Sequence, residues 1–137
     1  MLTVLQILTR VHPTLLTHIG TTIKIPNSPY MPLTVENIGP GPSLLPALSL
    51  CHYGEQNGDA MRDPEMCFEM EVEDGKLKGI QPYYYRNDYV GREEFAHDQD
   101  NGAVNARTVE TQKEFADLWG RNLKEQGFLR GYPETTS

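Results

Sequence analysis

The densest group of reactive side chains lies between residues 51 and 65, in the run CHYGEQNGDAMRDPE. Oxygen donors together with one imidazole suit a hard divalent cation. A metal-dependent hydrolase or nuclease could therefore use His52, Asp59, Asp63 and Glu65 as ligands or bases. The spacing, however, fits neither the HExxH nor the HxxEH motif, and it is not an EF-hand loop. We therefore predict no metal ligands and no catalytic residues here, and we keep the hydrolase as the alternative interpretation.

The same segment has a simpler interpretation as a self-bonded loop between two strands. Asn57-Gly58-Asp59 is a turn sequence, which Asp63 would cap while Arg62 pairs with a nearby carboxylate. Strand alternation places His52 on the same face as Leu48 and Leu50, which favours a hydrogen-bonded residue of the core or its rim over a catalytic base. The segment is thus expected to be a scaffold or a contact surface.

An acidic face follows directly in the chain. Residues 65–73 alternate between two sets of side chains, the apolar Met66, Phe68, Met70 and Val72 and the largely acidic Glu65, Cys67, Glu69, Glu71 and Glu73. Same-face residues of a strand repeat every ~6.6–6.8 Å, close to the phosphate spacing along one DNA strand. The pattern is compatible with imitation of a nucleic-acid backbone inside a basic groove. A solvated face balanced by Lys76 and Lys78 is the alternative.

The dipeptide Asp74-Gly75 predicts a two-residue hairpin turn after this strand. The expected register pairs Glu73 with Lys76, Val72 with Leu77, and Glu71 with Lys78. Opposite charges across a hairpin each contribute roughly 0.2–1 kcal/mol and favour this register.

Four tyrosines and an arginine occur between residues 82 and 89, in the run PYYYRNDY. Such a group is typical of a protein interface, and it could join two copies of the chain. The alternative is that alternate tyrosines pack in the core while the others cover an exposed face.

The remaining elements are read from hydrophobic periodicity. Helical spacing predicts a helix over residues 2–11, and alternation predicts strands over residues 22–25, 31–35 and 47–53. Pro32 cannot donate to a ladder, so the second of these strands is expected at an edge. Residues 86–107 are polar and predict a long loop. Thr108 or Thr111 would then cap a helix that ends at Gly127.

These elements predict an α+β domain with an antiparallel sheet of about five strands. An N-terminal helix and a C-terminal helix are expected to pack on it. The domain would span residues 1–132, followed by a frayed tail at residues 133–137.

Charge and composition exclude several classes of protein. The 12 Lys and Arg against 19 Asp and Glu give a net charge of −7, which argues against direct binding to nucleic acid or an anionic membrane. No apolar run is long enough for a membrane span, and the start lacks the basic flank of a secretory signal. We expect a cytoplasmic protein with no cofactor, in which Cys51 and Cys67 are reduced and buried; a single bridge between them is the alternative.

The run HYGEQNGD at residues 52–59, followed by MRDPEM at residues 61–66, resembles a signature of uncharacterised small proteins carried by bacterial plasmids, phages and other mobile elements. The stretches YMPL at residues 30–33 and Val35-Glu36 fit it as well, so the resemblance covers about residues 20–90. The resemblance implies an origin in a mobile element, but it implies no enzymatic reaction. Small acidic proteins of mobile elements often act stoichiometrically against host defence, as anti-CRISPR and antirestriction proteins do.

The leading hypothesis is a non-enzymatic binding protein of a mobile element that inhibits or modulates a host nucleic-acid-processing or defence complex. Its partner would be a host protein or nucleoprotein complex, and a homodimer is kept as an alternative. The contacts are expected from the charged run and the hairpin, namely Glu55, Asp59, Arg62, Asp63, Glu65, Glu69, Glu71 and Tyr84.

Overall fold

Each strand of the sheet pairs with the next strand of the chain. The computed structural model describes residues 1–134 and contains one six-stranded antiparallel sheet in the order β1-β2-β3-β4-β5-β6. The α+β prediction with a helix at each end of the chain is therefore confirmed. The elements are α1 (Leu2–Val11), α2 (Thr14–Thr17), β1 (Thr22–Asn27), β2 (Tyr30–Pro40), β3 (Pro46–Gln56), β4 (Asp59–Glu73), β5 (Lys76–Asn87), β6 (Arg92–Phe95) and α3 (Ala106–Glu125).

The helices cover one face of the sheet, which we call the core face. Strand alternation sends every second side chain of β2, β3 and β4 to this face, where the apolar stripes of α1 and α3 meet it. The apolar side of β4 is confirmed for Met66, Phe68 and Met70, whereas Val72 is exposed. The core cluster includes Val4, Leu5, Leu8, Leu33, Val35, Leu48, Leu50, Met66, Phe68, Met70, Trp119 and Leu123.

Helix α3 begins one turn earlier than a threonine cap predicts. The side chain of Asn105 accepts a hydrogen bond from the backbone nitrogen of Thr108 at 3.1 Å, so Asn105 is the N-cap. Asparagine with an extended backbone satisfies a free helix-end donor as well as threonine does. The predicted end is confirmed, because Gly127 adopts φ +90° just after the helix.

The predicted register of the β4–β5 hairpin is confirmed for the two residue pairs next to the turn, and it is wrong for the third pair. Glu73 lies opposite Lys76, and Val72 opposite Leu77, but Glu71 lies opposite Gly79. Lys78 is the extra residue of a β-bulge. The bulge depends on the tertiary structure, so charge pairing within one hairpin does not predict it.

The predicted edge position of β2 is also wrong, since β2 lies between β1 and β3. Pro32 is nevertheless accommodated. It falls beside a register irregularity in the β1–β2 ladder, and the β2–β3 pairing begins only at Leu33. The missing N–H donor therefore costs no regular ladder bond.

Two residues of the predicted frayed tail contact α1. The Arg10 guanidinium donates to the backbone carbonyls of Pro133 and Glu134. Residues 135–137 of that tail lie outside the described residues. No helix in residues 1–134 combines the length and the apolar character needed to span a membrane.

Candidate interaction surface on the sheet

The face of the sheet opposite the helices, which we call the outer face, carries mostly polar side chains in rows across the strands. Strand register sets these rows, because residues paired between neighbouring strands stand side by side on one face. The first row is Thr34, Cys51, Glu65, Arg86 and Glu93, and the second is Glu36, Ser49, Cys67, Tyr84 and Phe95. The fold thus brings together polar groups that are far apart in the sequence.

Asp88 is the centre of a charged cluster at the end of this face, which we call the Asp88 network. Its Oδ1 accepts a hydrogen bond from Nε of Arg86 at 2.7 Å, and its Oδ2 accepts one from the backbone nitrogen of Arg62 at 2.9 Å. The Arg62 side chain in turn lies 3.6 Å from Oε1 of Glu65. The hydrogen bonds from Arg62 and Arg86 lower the pKa of Asp88. The predicted pairing of Arg62 with a nearby carboxylate is confirmed.

The network continues across the sheet through two carboxylates. Oε2 of Glu65 accepts a hydrogen bond from Oγ of Ser49 at 2.6 Å. Glu93 accepts a hydrogen bond from the hydroxyl of Tyr84 and lies 3.5 Å from Nη1 of Arg86. Burial and this bond to Glu93 raise the pKa of Tyr84 to about 12. Tyr84 therefore keeps its proton at neutral pH and acts as a donor.

Glu69 does not lie on a solvated acidic face. It is 5% exposed, and its Oε2 accepts hydrogen bonds from the backbone nitrogens of Ser43 at 2.9 Å and Leu45 at 3.2 Å. Gly41 lies so close that a Cβ atom there would be 2.4 Å from Cγ of Glu69. Glu69 therefore fastens the loop of residues 41–45 to the sheet. Of the predicted acidic face, Glu71 and Glu73 remain exposed.

The segment predicted as a loop between residues 51 and 65 is instead mostly strand. β3 and β4 continue to a two-residue turn at Asn57 and Gly58, whose φ angles are +53° and +83°. Both values suit a type I′ hairpin turn. Glu55 and Asp59 stand exposed beside this turn. Asp63 does not cap it and accepts a hydrogen bond from Nδ2 of Asn87 at 2.7 Å.

His52 lies in the core, which is one of the two positions, core or rim, that strand alternation predicts. It is 8% exposed, its Nδ1 lies 3.3 Å from the carbonyl oxygen of Pro32, and its ring centroid is 5.5 Å from that of Trp119 and 5.2 Å from that of Phe128. Burial lowers its pKa. His52 thus faces the helices, whereas Glu65 faces the other way. Within residues 1–134, no three or more His, Cys, Asp and Glu side chains are grouped so as to hold a metal ion.

The tyrosines of β5 divide between the two faces. Tyr85 meets the ring of Phe115 at 5.2 Å on the core side, and Tyr84 meets Phe95 at 5.0 Å on the outer face. This alternation confirms the packing interpretation for these two residues. Tyr83 is the extra residue of a second bulge and lies beside His97. A homodimer through these tyrosines stays a prediction.

Comparison with known protein families identifies a family whose model matches nearly the whole chain. Residues 2–129 match the model of a domain of unknown function (DUF6908). The chain belongs to the DUF6908 family. The match includes α1 and α3, which lie outside the stretch of about 70 residues that carried the sequence resemblance. No curated protein and no solved structure matches the chain.

In this DUF6908 domain the Asp88 network joins three of the predicted contact residues, Arg62, Glu65 and Tyr84. The other predicted residues lie outside it. Sequence reasoning missed the groups that connect the network, Ser49, Arg86, Asp88 and Glu93. Arg86 and Asp88 lie within the tyrosine-rich run, where their i, i+2 spacing was the available signal; Arg86 belongs to β5, and Asp88 comes directly after the end of this strand.

The two cysteines of the DUF6908 domain are buried and free, as predicted. Cys51 lies opposite Glu65 and Cys67 opposite Ser49, so the thiols are diagonal neighbours. Diagonal positions are roughly 7–8 Å apart, beyond the usual reach of a disulfide at about 6.8 Å. Burial raises the pKa of both thiols to about 12, which makes them poor nucleophiles.

Proposed function

We propose that the chain is a non-enzymatic binding protein of a mobile element, which acts in the cytoplasm on a host nucleic-acid-processing or defence complex. In this proposal it inhibits or modulates the complex stoichiometrically, in the manner of anti-CRISPR or antirestriction proteins. The partner is a host protein or nucleoprotein complex, and the chain makes no direct contact with nucleic acid.

The observation that carries the proposal is the pair of exposed carboxylates on β4, Glu71 and Glu73. They stand two residues apart on one strand, so they repeat at the ~6.6–6.8 Å spacing of a strand face. A net charge of −7 adds long-range attraction to a basic groove. A groove that normally holds a nucleic-acid backbone presents cations at a similar spacing.

The remaining contacts are assigned to the same outer face and its hairpin. Tyr84, Arg62 and Glu65 supply a pre-organised rim, because the Asp88 network holds them in place before binding. Glu55, Asp59 and Asp63 belong to the β3–β4 hairpin, at the far end of β4 from Glu73. Glu69 is left out as a direct contact, since its carboxylate is buried against the loop of residues 41–45.

The experiment is a transformation assay in host cells that carry a defined restriction or CRISPR system. Expression of the chain should raise the recovery of a targeted plasmid. The charge-reversed variant Glu71→Lys/Glu73→Lys should lose this protection, because cations would then face the basic groove. Circular dichroism of the purified variant checks that it folds.

The matched control reverses two exposed carboxylates on helix α3, Glu114→Lys/Glu125→Lys. Its net charge changes by the same amount, so it should keep its protection if the outer face is the contact. An equal loss of protection in both charge-reversed variants would show that net charge alone, and not the outer face, accounts for the loss. No protection by the unmodified chain against a panel of such systems would overturn the proposal.

A further inference from the structure

A cleft with a cationic rim shares no lining residue with the Asp88 network. It has a volume of about 390 Å³ and is enclosed by α1, α2 and the turn end of the β4–β5 hairpin. Ligand pockets typically have volumes of roughly 300–1,000 Å³. The cleft is therefore large enough for a compact organic molecule.

The charged side chains that line this cleft are all cations, Arg10, Lys76 and Lys78. Glu73 and Asp74 belong to the same hairpin, but neither lines it. Across the described residues 1–134, no carboxylate oxygen lies within 4.0 Å of a charged nitrogen of these three side chains. In a chain with net charge −7, this is a local reversal of sign that favours an anion.

A β-bulge frees one of these cations. In an unbroken hairpin register Lys78 would stand opposite Glu71, but Gly79 takes that position. Bulges are known to re-aim a side chain and to occur next to functional sites. Here the bulge removes Lys78 from its cross-strand carboxylate and leaves it on the rim of the cleft.

The walls of the cleft are held by hydrogen bonds. Nε2 of Gln6 donates to the carbonyl oxygen of Leu77 at 3.2 Å, which ties α1 to the hairpin. The Arg10 guanidinium donates to the carbonyls of Pro133 and Glu134. Both acceptors are neutral, so Arg10 is positioned without losing its positive charge. A cation that is pre-organised in this way lowers the ordering cost of binding.

We infer that this cleft binds a phosphate ester of a small organic molecule. A phosphate group carries about −1.5 to −2 charges and three acceptor oxygens, which three cations can satisfy. The apolar side chains of Pro13, Leu16 and Leu77 line the same cleft and offer a surface for the organic part. The inference does not depend on the proposed function, because the cleft shares no residue with the outer face contacts.

The test is a titration of the ¹⁵N-labelled protein followed by NMR, with phenyl phosphate and inorganic phosphate as the two probes. Phenyl phosphate should shift the amide signals of Gln6, Lys76 and Leu77 saturably, and it should bind more tightly than inorganic phosphate because its ring contacts the apolar wall. The variant Lys76→Gln/Lys78→Gln should weaken phenyl phosphate binding about tenfold or more, since charge-assisted hydrogen bonds are lost.

The matched control is Lys24→Gln/Lys113→Gln, which removes two exposed cations outside the cleft. It should bind phenyl phosphate as the unmodified chain does. Equal weakening by both double variants would overturn the inference, because general attraction would then explain the binding. Absence of saturable shifts with both probes would overturn it as well. Equal affinity for the two probes would overturn the assignment of a phosphate ester as the ligand and would indicate a site for free phosphate.

Discussion

The backbone nitrogen of Arg62 donates a hydrogen bond to the carboxylate of Asp88 over 2.9 Å, and this bond joins β4 to the segment between β5 and β6. Nε of the Arg86 side chain donates a hydrogen bond to the other oxygen of the same carboxylate at 2.7 Å. One carboxylate thus orients two arginines that belong to different strands.

We therefore expect Asp88→Ala to destabilise the fold by about 1–2 kcal/mol, because the backbone nitrogen of Arg62 and Nε of Arg86 lose their hydrogen-bond acceptor and the Arg62 guanidinium loses an ion pair at 3.9 Å. Urea unfolding followed by circular dichroism measures the change. Asp59→Ala, at the exposed hairpin end, is the matched control and should stay within about 0.5 kcal/mol of the unmodified chain. Equal effects of the two substitutions would show that the network does not contribute.

The second prediction concerns the carboxylate that holds the loop of residues 41–45. Glu69→Ala leaves two backbone donors, of Ser43 and Leu45, without their acceptor. The expected loss is about 2 kcal/mol, and the two amides should exchange with solvent faster. Hydrogen exchange measured by NMR reports this directly.

Glu71→Ala serves as the control for that substitution, because Glu71 is exposed on the same strand. It should change stability by less than about 0.5 kcal/mol and leave the loop amides protected. Unchanged exchange at Ser43 and Leu45 in Glu69→Ala would contradict the role given to Glu69.

The third prediction is a pH dependence that comes from His52. Burial beside Trp119 and Phe128 lowers the pKa of His52 in the folded state, whereas in the unfolded chain it stays near 6.5. Below about pH 6.5 the unfolded state therefore binds more protons. The contribution to stability is lost as the pH falls through this value, by at most about 1.4 kcal/mol per pH unit.

Urea unfolding at pH 7.5, 6.5 and 5.5 measures this dependence. His52→Asn keeps a donor near the carbonyl of Pro32 but does not titrate, so its stability should fall less steeply between pH 6.5 and 5.5. Identical slopes in the unmodified chain and in His52→Asn would show that His52 does not titrate differently on folding.

Local sequence signals predict the elements that depend on short-range physics. The apolar spacing of α1, the alternation in β4 and the Asp74-Gly75 turn each involve residues within one or two turns or strands. The core position of His52 follows from the same alternation, because a strand sends every second residue to one face. These features were therefore open to prediction from the chain alone.

The errors occur where a distant contact competes with a local preference. Charge pairing favoured Glu71 opposite Lys78, but a bulge places Gly79 there. Alternation placed Glu69 in solvent, but two backbone donors of a loop before β3 meet its carboxylate. The polar composition of residues 86–107 predicted a long loop, but β6 forms within this segment and pairs with the edge of β5.

The sequence by itself determined the α+β class, the N-terminal and C-terminal helices, the β4–β5 hairpin turn and the net negative charge. These depend on periodicity, turn residues and composition, which act over a few neighbouring residues. Only the tertiary structure decided the strand order and the register away from the β4–β5 turn, and with them the rows of the outer face, the Asp88 network and the cationic cleft. Register is a cooperative property of paired strands, so residues far apart in the chain set it together.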